Sequence, residues 1–554
     1  MEHPGRLYLH RLRKSHDQRR REGKLGLAER SKAPIEQDIT IKVGAKAKWV
    51  SLNTFQANNT NPVYTFNVGF NPNGGTFNDT IPYRVVFFAP FGDTDPRIKS
   101  DNFQFGIYAQ DDWDVTDRLT LNLGVRWDYE RTPAFLNYEH DPAVVDLVTG
   151  VTLNPNTGLP AYPNLLNADY DINDYISTGS ERKAFKGAIQ PRIGFTYAID
   201  DERRWVVFGG YGRSYDRHQF DFIQQELAQG LATNRTFNFL NAGHPDGCTP
   251  SVTCVPFDPI YLTEAGRAQL IANAPPGAGG ELRFIKNDLK MPYSDQFSLG
   301  VRHRVSNLIE TEVGYSHIVS NDGFVFLLGN RRPDGSFFPP SGNPSSPFGF
   351  PPSPFGSIII GDNGIKTKAD SVYAKFNKSY TPFSPWSLTA TYTYTEAEEN
   401  RQFGEVFSLD YPSIDDYPFT RSNGVRKHRL VMAGTADLPF DFTLSGKFQI
   451  ASPRYLKTFT FVQGDPLSRD VVAVKTDGNG SKWGYRQLDL ALTKYLKLGF
   501  LSEDAQIWMR VDVLNVLNDR NYNSFNAVTG ERNPNNISID GPPRTFKLST
   551  GFSF

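Results

Sequence analysis

Two cysteines, four methionines and no long apolar run mark this 554-residue chain. Two cysteines cannot staple a chain of this length, so a disulfide scaffold is excluded. No stretch approaches the ~18 consecutive apolar residues of a membrane-spanning helix. Charge of one sign is lacking too. The 59 basic and 60 acidic side chains leave a formal net charge of −1, which argues against a chain-wide field for nucleic acid. A mean hydropathy of −0.45 reads as soluble on a helix-oriented scale. Transmembrane β-barrels escape both the run test and the hydropathy test, because only alternate residues face lipid. Aromatic residues, by contrast, are abundant: 42 Phe, 25 Tyr and 7 Trp. Such a chain is too apolar to stay disordered.

Helical spacing is scarce. Leu262–Ala272 is the best candidate, a short loop helix. The dominant period is two, the strand period. In Leu119–Tyr129 every odd position is apolar, and Thr120, Asn122, Gly124, Arg126 and Asp128 fill the even ones. Phe103, Phe105, Ile107 and Ala109 alternate with polar or small residues just before it. The same alternation recurs around Phe297–Val301, Ile309–Tyr315, Leu388–Tyr394, Phe442–Ile450, Leu488–Leu492 and Phe546–Phe554. Many of these runs cover the ~9–11 residues of a tilted membrane strand rather than the ~5–6 of a soluble one.

The connections alternate as well. Asp114–Asp117, Asp200–Glu202, Ser306–Asn307, Pro382–Pro385, Pro439–Phe440 and Lys497–Glu503 are short. Between them lie long segments, among them Thr132 to near Phe185, Asp216 to near Met291, and Asn321 to near Lys366. Short turns at one end and long loops at the other are the layout of an outer-membrane barrel, periplasmic and extracellular respectively. The expectation is an all-β, antiparallel, up-and-down transmembrane barrel over 38–554. About fourteen strands are visible, with an extra pair inside 452–483. The last strand descends from a long loop, which puts the C-terminus in the periplasm. Residues 1–37 stand apart. Their first 32 residues carry ten Lys/Arg against four acids, with no apolar stretch of a signal peptide behind them. They are expected to be a solvated, disordered segment, and a nucleic-acid arm is the weaker reading.

The segment Ile107–Tyr129, IYAQDDWDVTDRLTLNLGVRWDY, resembles the barrel signature of TonB-dependent outer-membrane receptors. Gln190–Ile199 (QPRIGFTYAI), Phe208–Arg217 (FGGYGRSYDR), Val511–Asp519 (VDVLNVLND) and the terminal TFKLSTGFSF are similar to the same family. Asn53–Phe70 and the loop style resemble its Oar-like branch. The resemblance implies a barrel of twenty-two strands, a signal peptide, a TonB-contacting box and a plug. None of the last three is legible here, so the chain is expected to be the later part of a truncated barrel. The resemblance also implies uptake of a scarce ligand without covalent chemistry. The implied partners are outer-membrane lipid, the barrel assembly machinery and an extracellular ligand, with the TonB complex if the missing part exists and no nucleic acid. Phe546, Leu548, Phe552 and Phe554 resemble the C-terminal signal by which such barrels are recognised for assembly.

Other constellations carry blander readings. Cys248 and Cys254, in GCTPSVTC, suit a disulfide within one loop, as expected in an oxidising exterior. With His244 they make a thin metal site. Gly210-Tyr-Gly212-Arg-Ser-Tyr215 lacks the rest of a dinucleotide fingerprint and reads as strand glycine. Asp111, Asp112, Asp114, Asp117 and Asp128 are too many acids to ignore. Asp112 and Asp128 share the wet parity, Asp114 and Asp117 bracket a turn, and Asp111 shares the apolar parity, which places it near an interface. Arg126, Arg192, Arg302 and Arg510 fall on the wet face, where they would meet lumen acids or a plug. Trp113, Trp127, Tyr129, Tyr197, Trp205, Tyr392 and Tyr394 are expected in interfacial girdles. If ligand-binding residues exist, Phe337, Phe338, Phe348 and Phe350 in the aromatic loop and Arg126 in the wall are the positions to look at. No catalytic, cofactor or metal residue is expected. A plug-less pore or adhesive barrel, and a secreted all-β enzyme or binding module, remain the competing classes.

Overall fold

A computed structural model describes residues 19–30 and most of 39–553; the longer stretches outside it include 68–79, 161–169, 241–247, 330–357, 401–406, 409–414, 462–468 and 477–483. Fifteen strands pair in an antiparallel meander: β1 (Arg19–Arg30), β2 (Ile39–Phe55), β3 (Arg97–Thr116), β4 (Leu119–Arg131) and β5 (Ala188–Ala198). They continue as β6 (Trp205–Tyr215), β7 (Tyr293–Arg304), β8 (Ile309–Leu328), β9 (Ile358–Lys378) and β10 (Trp386–Glu399). The sheet ends with β11 (His428–Leu438), β12 (Phe442–Ala451), β13 (Tyr485–Lys497), β14 (Gln506–Leu514) and β15 (Thr545–Ser553). This is the outer-membrane β-barrel architecture. No ladder joins β15 to β1 among the described residues.

Alternate connections are tight, as the turn residues anticipated. Only 117–118 separate β3 from β4, and only 439–441 separate β11 from β12. In the latter turn Phe440 and Asp441 take positive φ, 66° and 56°, the left-handed residue conformation that lets a tight turn match the right-handed twist of its strands. The other connections are long, so every second one returns to the same rim.

Two differences from the sequence reading have physical causes. β1 falls inside the basic segment for which no regular structure was expected. It pairs residue by residue with β2, Arg19 opposite Asn53 and Arg30 opposite Lys42. Any residue but proline can complete a backbone ladder, so an adjacent strand with open hydrogen-bonding groups outweighs the local charge. The extra pair in 452–483 exists as Tyr455–Phe461 with Arg469–Thr476, but it pairs with itself and adds no wall strands.

The long-loop rim carries folded structure that periodicity missed. Helices run over Pro142–Val148, Phe220–Leu231 and Glu264–Ala272. The last matches the one expected loop helix, and its N-cap Thr263 accepts the Gly266 N–H. A four-stranded sheet joins Val63–Thr65 and Arg84–Pro90 from one loop to Ala232–Leu240 and Cys254–Pro256 from another.

Candidate functional site

The wall has two chemically distinct faces. On one lie Ile41, Val43, Ile107, Leu123, Val125, Ile193, Leu299, Val301, Val313, Val372, Leu492 and Val511, all exposed. A continuous belt of bare aliphatic side chains has no stable place in water; it is the surface that meets lipid chains. Aromatic rings bound it. Toward the tight turns stand Tyr197, Trp205 and Trp386, with Phe383, Phe440 and Phe500 in the turns themselves. Toward the long loops, Trp49 meets Phe103 at 5.3 Å, Trp127 meets Tyr129 at 6.1 Å and Tyr215 meets Tyr293 at 5.5 Å between ring centroids. The expected girdle residues thus divide between two rims, Trp113, Tyr197 and Trp205 on one and Trp127, Tyr129 and Tyr394 on the other. Asp111 shares this outward parity and stands opposite Ile41 and Leu123.

The other face is polar and internally paired. Asp112 accepts from Lys42, from Asn122 at 2.7 Å and from Gln110 at 3.2 Å. Arg126 donates through Nε to Asp128 at 2.6 Å, and Gln190 reaches the same carboxylate. Arg510 pairs with Asp512 at 2.7 Å. Asp114 accepts from the Thr120 hydroxyl at 2.6 Å beside the tight turn. Asp112, Asp114 and Asp128 therefore go to separate partners rather than to one centre.

Above the belt the loops form a cap on the extended strands. β8 and β9 have 20 and 21 residues, about twice what a membrane strand needs. The surplus holds the cap. Leu282–Ile285 adds a parallel strand beside Ile358–Gly361. Ile358, Ile360, Leu282 and Phe284 face Leu147, Val148, Ile172 and Tyr175. Ile359 and Ile285 face the other way, toward Phe135, Ile223, Leu289, Phe324 and Phe326. With both faces covered, alternation disappears and the run Ile358-Ile359-Ile360 is continuous.

Inside this cap sits a buried ion pair. The Arg182 guanidinium donates through Nη1 and Nη2 to the two Glu226 carboxylate oxygens at 2.6 and 2.7 Å, and to the Phe135 and Ile285 carbonyls at 3.2 Å each. The Ile285 N–H donates to Glu226 Oε1 at 2.9 Å, and His140 Nε2 stands 3.4 Å from that oxygen. Burial pushes the Glu226 carboxyl up, yet the Arg182 charge and His140 prevail and hold it below the ordinary glutamate value. Nearby, Thr178 and neighbouring backbone N–H groups donate to the exposed Glu181 and hold it down at about 2. Arg182, Glu226 and His140 come from distant chain positions, and no motif in the sequence marks them.

Cys248 and Cys254 form a disulfide, with Cα atoms 6.1 Å apart. It ties the approach to the four-stranded sheet to its last strand, beside the apolar cluster of Val85, Phe87, Phe237, Phe239 and Leu270. Both sulfurs are consumed by the bond. His244, Phe337, Phe338, Phe348, Phe350 and Phe554 lie outside the described residues. Phe546, Leu548 and Phe552 stand exposed on β15.

Comparison with known proteins places this geometry. A family model described as an outer membrane beta barrel domain matches residues 38–457. No curated protein matches in sequence. Among solved structures, the outer membrane transporter YddB from Escherichia coli superposes with a TM-score of 0.53 at 12% identity, covering 96% of this chain and 53% of that one. The ferripyoverdine receptor of the outer membrane of Pseudomonas aeruginosa follows with a TM-score of 0.47 at 13% identity, over 96% and 48%. A mutant ferric enterobactin receptor from Pseudomonas aeruginosa gives 0.48 at 12%, over 96% and 54%. The chain spans about half the length of these solved structures.

Proposed function

The chain belongs to the outer membrane beta barrel domain family, and from that premise we propose that it is the wall of a TonB-dependent outer-membrane receptor of the Oar-like branch, which takes up a scarce extracellular ligand without covalent chemistry. The observation that carries this reading is the sorting of its ends. Tight turns occupy one rim, and a folded, ion-paired and disulfide-tied cap occupies the other. A passive structural wall needs no such investment in one rim. A receptor does, because that rim must present a defined surface to solutes.

In this reading the cap faces the exterior, where the Cys248–Cys254 bond is stable, and the C-terminus lies in the periplasm. Residues Phe546, Leu548, Phe552 and Phe554 address the barrel assembly machinery. The proposal includes TonB coupling and a plug as features of the whole receptor. The segment before residue 38 is outside the domain, apart from the strand it lends to the wall. The motif Ile107–Tyr129 and the structural likeness to an outer membrane transporter support the assignment.

The test is genetic. Growth on a panel of limiting nutrients is compared for strains lacking this gene, lacking TonB, or lacking both. The proposal expects one nutrient whose use is lost equally in all three. A defect that appears without this gene but not without TonB would favour the plug-less pore. Recovery of the protein in the soluble fraction without detergent would overturn both membrane readings and favour a secreted β module.

A further inference from the structure

Four arginines are expected from the sequence at wet-face positions of the wall, and three have acids at hand. Arg126 pairs with Asp128, Arg510 with Asp512, and Arg302 lies 3.9 Å from Glu310. Arg192, on β5, has no acidic or hydrogen-bonding partner among the described residues. Its guanidinium is nevertheless not in featureless surroundings.

Strand register sets it in a five-strand row, Gln110–Gly124–Arg192–Gly212–Gln296. The next row on the same face reads Asp112–Asn122–Gly194–Gly210–Ser298. Four glycines therefore strip the wall to its backbone around one arginine and leave a cavity of about 420 Å³. Packing explains only one of them. A Cβ on Gly210 would meet the Ile193 carbonyl oxygen at 2.8 Å, whereas on Gly124, Gly194 and Gly212 the nearest atoms are 3.4, 3.6 and 3.9 Å away. None of the four has positive φ, so backbone conformation does not demand them either. What they share is the open space they leave beside Arg192.

The rest of the lining is suited to an anion. Gln296 and Ser298 are exposed into the same cavity with an amide and a hydroxyl to offer. The nearby acid, Asp112, is already engaged by Lys42, Asn122 and Gln110. A planar guanidinium presents a fork that matches a carboxylate with two parallel hydrogen bonds. We propose that Arg192, with Gln296 and Ser298 over the floor of Gly194 and Gly212, forms a lumen site for the carboxylate of a passing solute. This deepens the receptor reading by naming the chemistry of its ligand, and it rests on that reading only for the lumen being wet.

Full-length protein in detergent, shown to be folded by heat-modifiable migration, is titrated calorimetrically with succinate at low salt. Saturable binding is expected, weakened roughly tenfold or more in Arg192→Gln. Gly212→Leu, which fills the cavity but keeps the charge, should weaken it comparably, while Arg302→Gln should leave it unchanged. Uncharged dimethyl succinate should not bind. Absence of succinate binding by the wild-type protein, equal affinity in Arg192→Gln, or equal binding of the diester would overturn the site. TonB does not enter this titration, so its failure would leave the growth comparison standing, and the reverse holds.

Discussion

Arg182 and Glu226 show how much single side chains matter in a cap built from loops. Both side chains are almost wholly buried, with exposures of 0% and 1%. Removing one charge strands the other without water, which costs about 3–5 kcal/mol. Glu226→Gln should therefore expose the segments around 132–187 and 216–292 to limited proteolysis while the wall keeps its heat-modifiable migration. The same pair makes the cap sensitive to acid. Glu226 titrates below the ordinary value of 4.5 when folded. Its stabilisation is complete above that ordinary value and is lost as pH falls through the lowered one. Cap proteolysis should then rise in wild type only as pH falls below the ordinary glutamate range, through the lowered titration of Glu226, and lose that pH step in Glu226→Gln. On the lipid face the opposite chemistry rules. Val125→Arg puts a charge where acyl chains pack, costs about 2–4 kcal/mol near the midplane, and should lower the denaturant midpoint in refolding into vesicles. Thr391→Arg, on the polar parity of β10, should change it far less.

At the scale of the element, parity explains which strands could be read directly and which could not. β4 alternates because lipid lies on one side and water on the other, so Leu119–Tyr129 identifies itself. The upper end of β9 does not alternate, because Ile358, Ile359 and Ile360 are covered on both faces. Helix Phe220–Leu231 was missed for a related reason. Its burying face includes Ile223, Gln224 and Glu226, and polar residues that find their partners inside the cap read in the sequence as part of a solvated loop. β15 makes a separate prediction. Its Phe546 and Leu548 are exposed at 70% and 78%, as befits the last strand of the sheet, whose far edge carries no ladder among the described residues. Deleting Phe552–Phe554 should reduce recovery of heat-modifiable protein in the outer membrane. Unchanged recovery would remove the assembly role.

For the whole molecule, the sidedness of the connections has an observable consequence. An epitope inserted in the 439–441 turn should be inaccessible to antibody on intact cells, and one inserted near Asp201 likewise. An epitope beside Ser251, within the loop that the disulfide closes, should be accessible. Exchange of the two patterns would reverse the orientation. The mean hydropathy of −0.45, which reads as soluble on a helix-oriented scale, is the average of an apolar belt, a polar lumen and a polar cap.

Period two along Leu119–Tyr129, the aromatic strand ends and the alternation of short and long connections were enough to determine a membrane-spanning antiparallel wall. Each of these is a local response to which solvent a residue meets, and local pattern records that. Tertiary structure alone decided the rest. Arg182, Glu226 and His140 meet only because two loops fold over the ends of β8 and β9. Arg192 is distinguished from Arg126 and Arg510 only by what the register sets beside it. A linear pattern carries no information about which distant residue neutralises a charge, so the polar lock of the cap and the open arginine of the lumen became visible only once the strands were in register.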